Sequence, residues 1–337
     1  MNTKNNQINA SKNLGKLPTW NLKDLYPSQN DKSLNRDLNN IRDETLKFEK
    51  KYLNKVKTLS ADNLYKAINQ LEQIDVLMDK VLSYAHLLVA EDGNNEKNKI
   101  FYQQMQEKIT KYASSIIFFT LELNQIPEKQ ISKLVKNQKL QIYKNWIINK
   151  RSFKPYQLDL KIEKILQDKS ITSHSAWIRL FDDIIASLKF PFKKEELTSA
   201  QIFNYMSDKN ESTRKLAAKS VGKVLGSNIK IFSTITNTLA KDKSINDSWR
   251  KLPTPVSARN LSNVVEDSVV DSLVSSVTEY YPKLSHRYYA LKAGWFKKNI
   301  SCIGIEMPPC HFKVLKFLLG RKHKIQLSMH TQNLILK

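Results

Sequence analysis

Six histidines and two cysteines are the residues of this chain best suited to holding a metal or to acting as base and nucleophile: His86, His174, His286, His311, His323 and His330, with Cys302 and Cys310. A hydrolytic zinc site built on a helix needs two imidazoles at i and i+4 with a glutamate after the first. That spacing sets both rings on one face, one turn apart. No two histidines here stand four apart. Cys302, Cys310 and His311, with His323 further on, are the nearest thing to a ligand cluster. They contain neither C-x2-C nor C-x4-C, and no common zinc pattern fits them. They are expected to hold no metal. No Gly-rich phosphate loop and no Ser/His/Asp set can be picked out. The sequence therefore assigns no catalytic, cofactor-binding or metal-ligating residue. His86 falls in an apolar helical pattern and reads as a partly buried structural histidine. His286, Tyr288, Tyr289 and Trp295 form an aromatic group that would be either a substrate surface or a core stripe, and the core stripe is preferred.

The elements that must position these residues read as helices. Ser60 is placed to cap a helix in which Leu64, Ile68, Leu71, Met78, Val81, Leu82, Ala85 and Leu88 recur at helical spacing. Gly93-Asn94-Asn95 ends it. A second helix follows with Ile100, Met105, Ile109 and Ile116 among its apolar positions, and Ile116 to Phe119 is too short to span a bilayer and reads as core. Pro127 opens another helix, and Trp146 to Phe153 reads as helix. The pattern breaks at Phe190-Pro191-Phe192. Thr198-Ser199-Ala200-Gln201 then has the form of a capping box. Helices over roughly 211–225 and 228–241 follow, then a turn-rich stretch with Pro253 and Pro255. The next helix carries Val269, Val270, Leu273, Val274 and Val277 on one side, and Pro282 starts a last one. A mostly α fold is predicted, with a polar disordered lead (1–16), an N-terminal helical domain (17–195), a second helical region (196–298) and a poorly ordered tail (299–337).

Five stretches, in one order and spacing, say more: LPTWNLKDLY from Leu17 to Tyr26; Glu163-Lys164-Ile165-Leu166 followed by SHSAWIRL from Ser173 to Leu180; Arg214 to Ala218; Asn260 to Asn263; and Val269 to Val277 with Leu284 to Ala293. Together they resemble the oligoendopeptidase F branch of the thimet-oligopeptidase-like zinc metallopeptidases, over nearly all of residues 17 to 298. The resemblance implies a mostly helical, two-lobed body around a deep channel and hydrolysis of short peptides by one zinc ion. The zinc would sit on an H-E-x-x-H helix, with its glutamate as base and a further glutamate as ligand. None of those residues can be placed on a position of this chain.

The tail bears on why. Permitted codons for Cys302 to Phe312, read one base earlier, spell Tyr-Trp-Asp-Arg-Asn-Ala-Pro-Leu-Pro-Phe, a phrase similar to one in that family. In the same frame, Leu319 to His323 allow Thr-Trp-Glu-Glu-Ala and Met329 to Asn333 allow Ala-Tyr-Ala-Lys-Phe. A frame change in the A-rich codons near Lys297-Lys298-Asn299, true or an error of sequencing, is expected. On that reading the chain is an N-terminal fragment, inactive alone, with the zinc of the intact family not expected here. Short peptides and a separately made C-terminal catalytic half are the partners implied. The apolar faces at Val269, Leu273 and Trp295 are expected to be exposed.

Composition sets the outer limits. The 337 residues include only seven glycines and ten prolines, which suits a helical protein. No cysteine precedes Cys302, so disulfides do not hold the body together. No apolar run reaches the roughly 20 residues of a membrane span, and a cytoplasmic protein is expected. The formal charge of +23 invites a nucleic-acid reading. Six Lys/Arg against one Glu from Asn299 onward contribute +5, leaving +18 for the body, where lysines alternate with acids. A helical module that binds peptides or pairs with a catalytic half is the second reading, and a basic nucleic-acid-binding protein the third.

Overall fold

A computed structural model describes residues 19–297. The expected lead (1–16) and out-of-frame tail (299–337), with Cys302, Cys310, His311 and His323, lie outside the described residues. The fold is mostly α, with one two-stranded hairpin among the described residues. The helices are α1 (Lys32–Tyr52), α2 (Ala61–Glu91), α3 (Glu96–Ile116), α4 (Phe118–Gln125), α5 (Glu128–Leu134), α6 (Lys144–Arg151), α7 (Leu160–Lys169) and α8 (His174–Ser187). The hairpin pairs β1 (Phe190–Phe192) with β2 (Glu195–Leu197). Then come α9 (Ser199–Tyr205), α10 (Glu211–Ser227), α11 (Ile229–Arg250), α12 (Ser257–Ser262), α13 (Asp267–Tyr280) and α14 (Ser285–Phe296).

The chain forms two compact units, neither continuous in sequence. The first draws on residues up to 183 and on 238–264, the second on 184–237 and 265 onward. In the first, α1, α2 and α3 pack on one another. Each is started by a side chain that accepts from an orphan amide of the first turn: Asp31 from Ser33 N at 2.8 Å, Ser60 from Asn63 N at 3.3 Å, and Asn95 from Lys97 N and Asn98 N at 3.1 and 3.2 Å. On α1 the buried positions Leu34, Leu38, Ile41, Thr45, Phe48 and Tyr52 alternate steps of four and three, which keeps them on one face. On α2, Leu64, Ile68, Leu71, Met78, Val81 and Ala85 are buried as the periodicity requires. Phe48 meets Phe119 at 5.3 Å and Phe118 at 6.0 Å, so the Ile116 to Phe119 run is core. On α3 the buried register is Phe101, Met105, Ile109 and Ile116. Ile100, expected on that face, is exposed, because its neighbour Phe101 occupies the inward position.

One tertiary staple in this unit is polar. Buried Glu122 on α4 accepts from Asn54 N (2.7 Å) and Val56 N (3.1 Å). It thereby fixes a turn in which Asn54 adopts φ 62°. Asparagine enters that left-handed region more readily than other side chains bearing a Cβ.

In the second unit the break at Phe190 is the hairpin. Alternation places Phe190 and Phe192 on one face, where they pack with Leu197, Ile202, Ala217 and Val221. The ring of Phe192 stacks on Tyr205 at 4.5 Å. Thr198 and Gln201 make the reciprocal capping box at the start of α9. α13 buries no residue at all, and Val269, Leu273, Val274 and Val277 are exposed. α14 buries only Lys292 and Ala293. The preferred core stripe of His286, Tyr288, Tyr289 and Trp295 is therefore overturned: none is buried. Their steps of two, one and six residues spread them around the helix and not along one face.

Candidate functional site

The described histidines do not converge. His86 is exposed, not partly buried, with its ring 5.7 Å from that of Tyr102. The apolar stripe of α2 turns away from it. His286 is exposed and stacks on Tyr281 at 6.3 Å. His174 begins α8 and is also exposed. Among the described residues no three His, Cys, Asp or Glu side chains come together in a way that would hold a metal ion. The described residues therefore do not fit a zinc site.

What the first unit does build is a cleft of about 490 Å³ between α7, the start of α8 and the C-terminal part of α11. One of the stretches singled out in the sequence lines it with both of its parts, through Glu163, Ile165 and Leu166, and through Ser173 and His174. Across from them stand Asp242, Ile245, Asn246, Trp249 and Arg250. The floor is an ion pair between residues 87 positions apart. Arg250 donates from Nη1 to Glu163 Oε1 at 2.7 Å and from Nη2 to Oε2 at 2.8 Å, a two-pronged fork. Glu163 Oε1 also accepts from Leu158 N at 2.9 Å. Arg250 reaches Tyr156 O and Asn246 Oδ1, each at 3.3 Å. Glu163 is 8% exposed. Burial pushes its carboxyl toward the protonated form, but the Arg250 fork and the Leu158 amide outweigh this and hold it below the usual glutamate range. The guanidinium is held above its ordinary value chiefly by its hydrogen bonds to Glu163.

This floor is electrostatically closed. Both carboxylate oxygens and both terminal nitrogens are engaged, so neither partner is poised to transfer a proton or to receive a free anion. The hydroxyls are equally occupied: Ser170 Oγ donates to Gln167 O at 2.7 Å and Ser173 Oγ to Ser170 O at 3.4 Å. With no activated nucleophile, the cleft offers surface for binding. Trp249, 55% exposed, and Ile245 and Ile165 form its apolar rim. Sequence alone gave no sign of Arg250 or Trp249, since nothing local marks a partner so far along the chain.

A second cleft, of about 600 Å³, lies between α5 and α6. Ile131, Val135, Ile147 and Ile148 supply its apolar wall, and Lys136, Lys144 and Arg151 its cations. Arg151 is a structural clamp. Nη1 donates to Leu123 O (2.8 Å), and Nη2 donates to Ile126 O (2.9 Å) and Glu128 Oε2 (2.8 Å).

Comparison with known proteins places this helical body beside peptidases. A family model described as Oligopeptidase F matches residues 122–190, the run from α4 to the first hairpin strand. Over 302 residues the chain is 26% identical to Oligopeptidase PepF of Bacillus subtilis (strain 168), a match covering 86% of this chain and 43% of that protein. The fold is similar to the crystal structure of oligoendopeptidase-F from Enterococcus faecium (TM-score 0.74, 20% identity, 83% of this chain and 54% of that one). It is also similar to that of a putative peptidase from Chlamydophila abortus (TM-score 0.56, 16% identity, 86% and 49%). The chain is thus similar to oligoendopeptidase F proteins in sequence and in fold. It spans about half the length of these relatives, or less.

Proposed function

We propose that this chain is the N-terminal, non-catalytic portion of an oligoendopeptidase F-type zinc metalloendopeptidase, and that residues 1–337 by themselves do not hydrolyse peptides. One observation carries this: the match takes in 86% of the chain but only 43% of the peptidase it resembles, while residues 1–337 contain no H-E-x-x-H. In this reading residues 17–195 form the N-terminal helical domain and 196–298 the opening of the catalytic domain. In the out-of-frame reading, residues 299–337 do not continue that domain. Zinc and short peptides belong to the intact enzyme, and a cytoplasmic location is supported by the cysteine-free stretch of residues 1–301. The test is a quenched oligopeptide incubated with the purified chain and zinc. No chelator-sensitive turnover is expected, and metal-dependent cleavage would refute the proposal.

The exposed apolar face of α13 favours a second reading, in which the chain pairs with a separately made catalytic half. A face carrying Val269, Leu273, Val274 and Val277 is costly to leave in water. Mixing the chain with a C-terminal fragment that contains the zinc helix should give a complex on gel filtration and restore turnover. Two separate peaks and no activity would dismiss it.

A further inference from the structure

We infer that the cleft between α5 and α6 is a docking site for acidic peptide segments that carry aliphatic side chains. The argument begins with charge. Lys136 and Lys144 line the cleft, are exposed, and have no carboxylate of the described residues within ion-pair distance. Arg151 is already saturated by three carbonyls and by Glu128. Three cations therefore face one carboxylate, and the surplus positive charge resides on the two free lysines. Around them, Lys129, Lys133, Lys139, Lys150 and Lys154 are also exposed, and the stretch from Glu128 to Lys154 contains a single acid. Clustered like charges at a concave surface raise the local concentration of an oppositely charged ligand.

Shape and wall chemistry select among anions. Half-buried Val135 and Ile148, 53% exposed, present an aliphatic surface backed by the buried Ile131 and Ile147. A small inorganic anion would leave that wall wet. Single-stranded nucleic acid binds where aromatic rings offer stacking platforms, and no aromatic residue lines this cleft. An acidic peptide with leucine- or isoleucine-like side chains meets both features. Its carboxylates face Lys136 and Lys144, its side chains cover the aliphatic wall, and its backbone finds Ser132 and Gln141 at the rim.

The experiment measures fluorescence anisotropy of a labelled peptide of alternating Glu and Leu with the full chain at low salt. It therefore does not depend on whether the chain is part of a peptidase. Two companion peptides replace Glu by Gln or Leu by Ser, and both should bind more weakly than the parent. The Lys136→Glu/Lys144→Glu variant should weaken binding of the parent peptide by about tenfold. Lys215→Glu/Lys219→Glu, which makes the same charge change on α10, should weaken it by less than about twofold, with circular dichroism confirming that both variants keep their helix content. Four results would each overturn the inference: no binding of the acidic peptide, equal binding of the Glu and Gln peptides by the wild-type chain, equal loss in the two variants, or displacement by oligothymidylate as effective as by unlabelled peptide.

Discussion

Replacing Glu163 is the sharpest probe of how the α7–α11 cleft is held. Glu163→Ala removes both acceptors of the Arg250 fork and the acceptor of Leu158 N. The guanidinium is left with two contacts at 3.3 Å, to Tyr156 O and Asn246 Oδ1. Breaking a buried ion pair from one side costs about 3–5 kcal/mol. Arg250 keeps 26% of its side chain in water, so the lower end, about 3 kcal/mol, is expected. Glu163→Gln retains one oxygen and loses the charge, and about 1.5–2 kcal/mol is expected. Glu163→Leu combined with Arg250→Leu removes both charges and should recover much of the loss. Urea unfolding followed by circular dichroism reads all three. The pH dependence is a second check. A carboxyl depressed in the folded state contributes stability that is present above its ordinary unfolded value, about 4.3. That stability is lost as the pH falls through the folded value. The gap between wild type and Glu163→Gln should therefore be full at pH 7 and close below about pH 4. A gap unchanged at pH 3, or Glu163→Ala within about 0.5 kcal/mol of wild type at pH 7, would refute the account of the pair.

Four further outcomes follow from the same structure. Glu122→Ala should cost about 2–3 kcal/mol by orphaning the amides of Asn54 and Val56. Asn54→Gly should be near neutral and Asn54→Val should lose about 1–2 kcal/mol at φ 62°; a tolerated valine in urea titration would contradict this. Tyr26, fully buried, donates to Asp37 Oδ2 at 3.0 Å. Burial first and that hydrogen bond second push its phenol above the usual range. Its contribution is present below about pH 10 and lost as the pH rises through the folded value, so Tyr26→Phe should flatten the alkaline fall in stability, and an unchanged slope would count against it. On α13, Leu273→Lys with Val277→Lys should lower light scattering of concentrated samples and shift stability by less than about 0.5 kcal/mol. A loss well beyond that would mean the face is packed.

The clearest success of reading the chain was local. Ser60 before the periodic run of α2, and Thr198 with Gln201, marked helix starts because a cap is made within three or four residues. The apolar run Ile116 to Phe119 marked core because so short a stretch had nowhere else to go. The errors were also local. Periodicity says that a face is apolar but not that anything covers it, and so the aromatics of α14 read as core while the structure buries none of them. One residue of register moved the buried position on α3 from Ile100 to Phe101. Phe190-Pro191-Phe192 marked a break but not a hairpin, since three-residue strands are too short for alternation to declare itself.

Composition and spacing alone determined that this is a helical chain with no H-E-x-x-H among its 337 residues, and family resemblance was written in ordered local phrases. Only the tertiary structure decided which charges are spent and which are free. Glu163 and Arg250 lie 87 residues apart and close on each other, Arg151 is consumed by backbone carbonyls, and Lys136 and Lys144 are left facing a cleft. The reason is physical: a helix start or an apolar stripe is fixed by neighbours within a few residues along the chain. The state of a charge is fixed by whatever the fold brings within about 4 Å of it, and no local spacing encodes that distance.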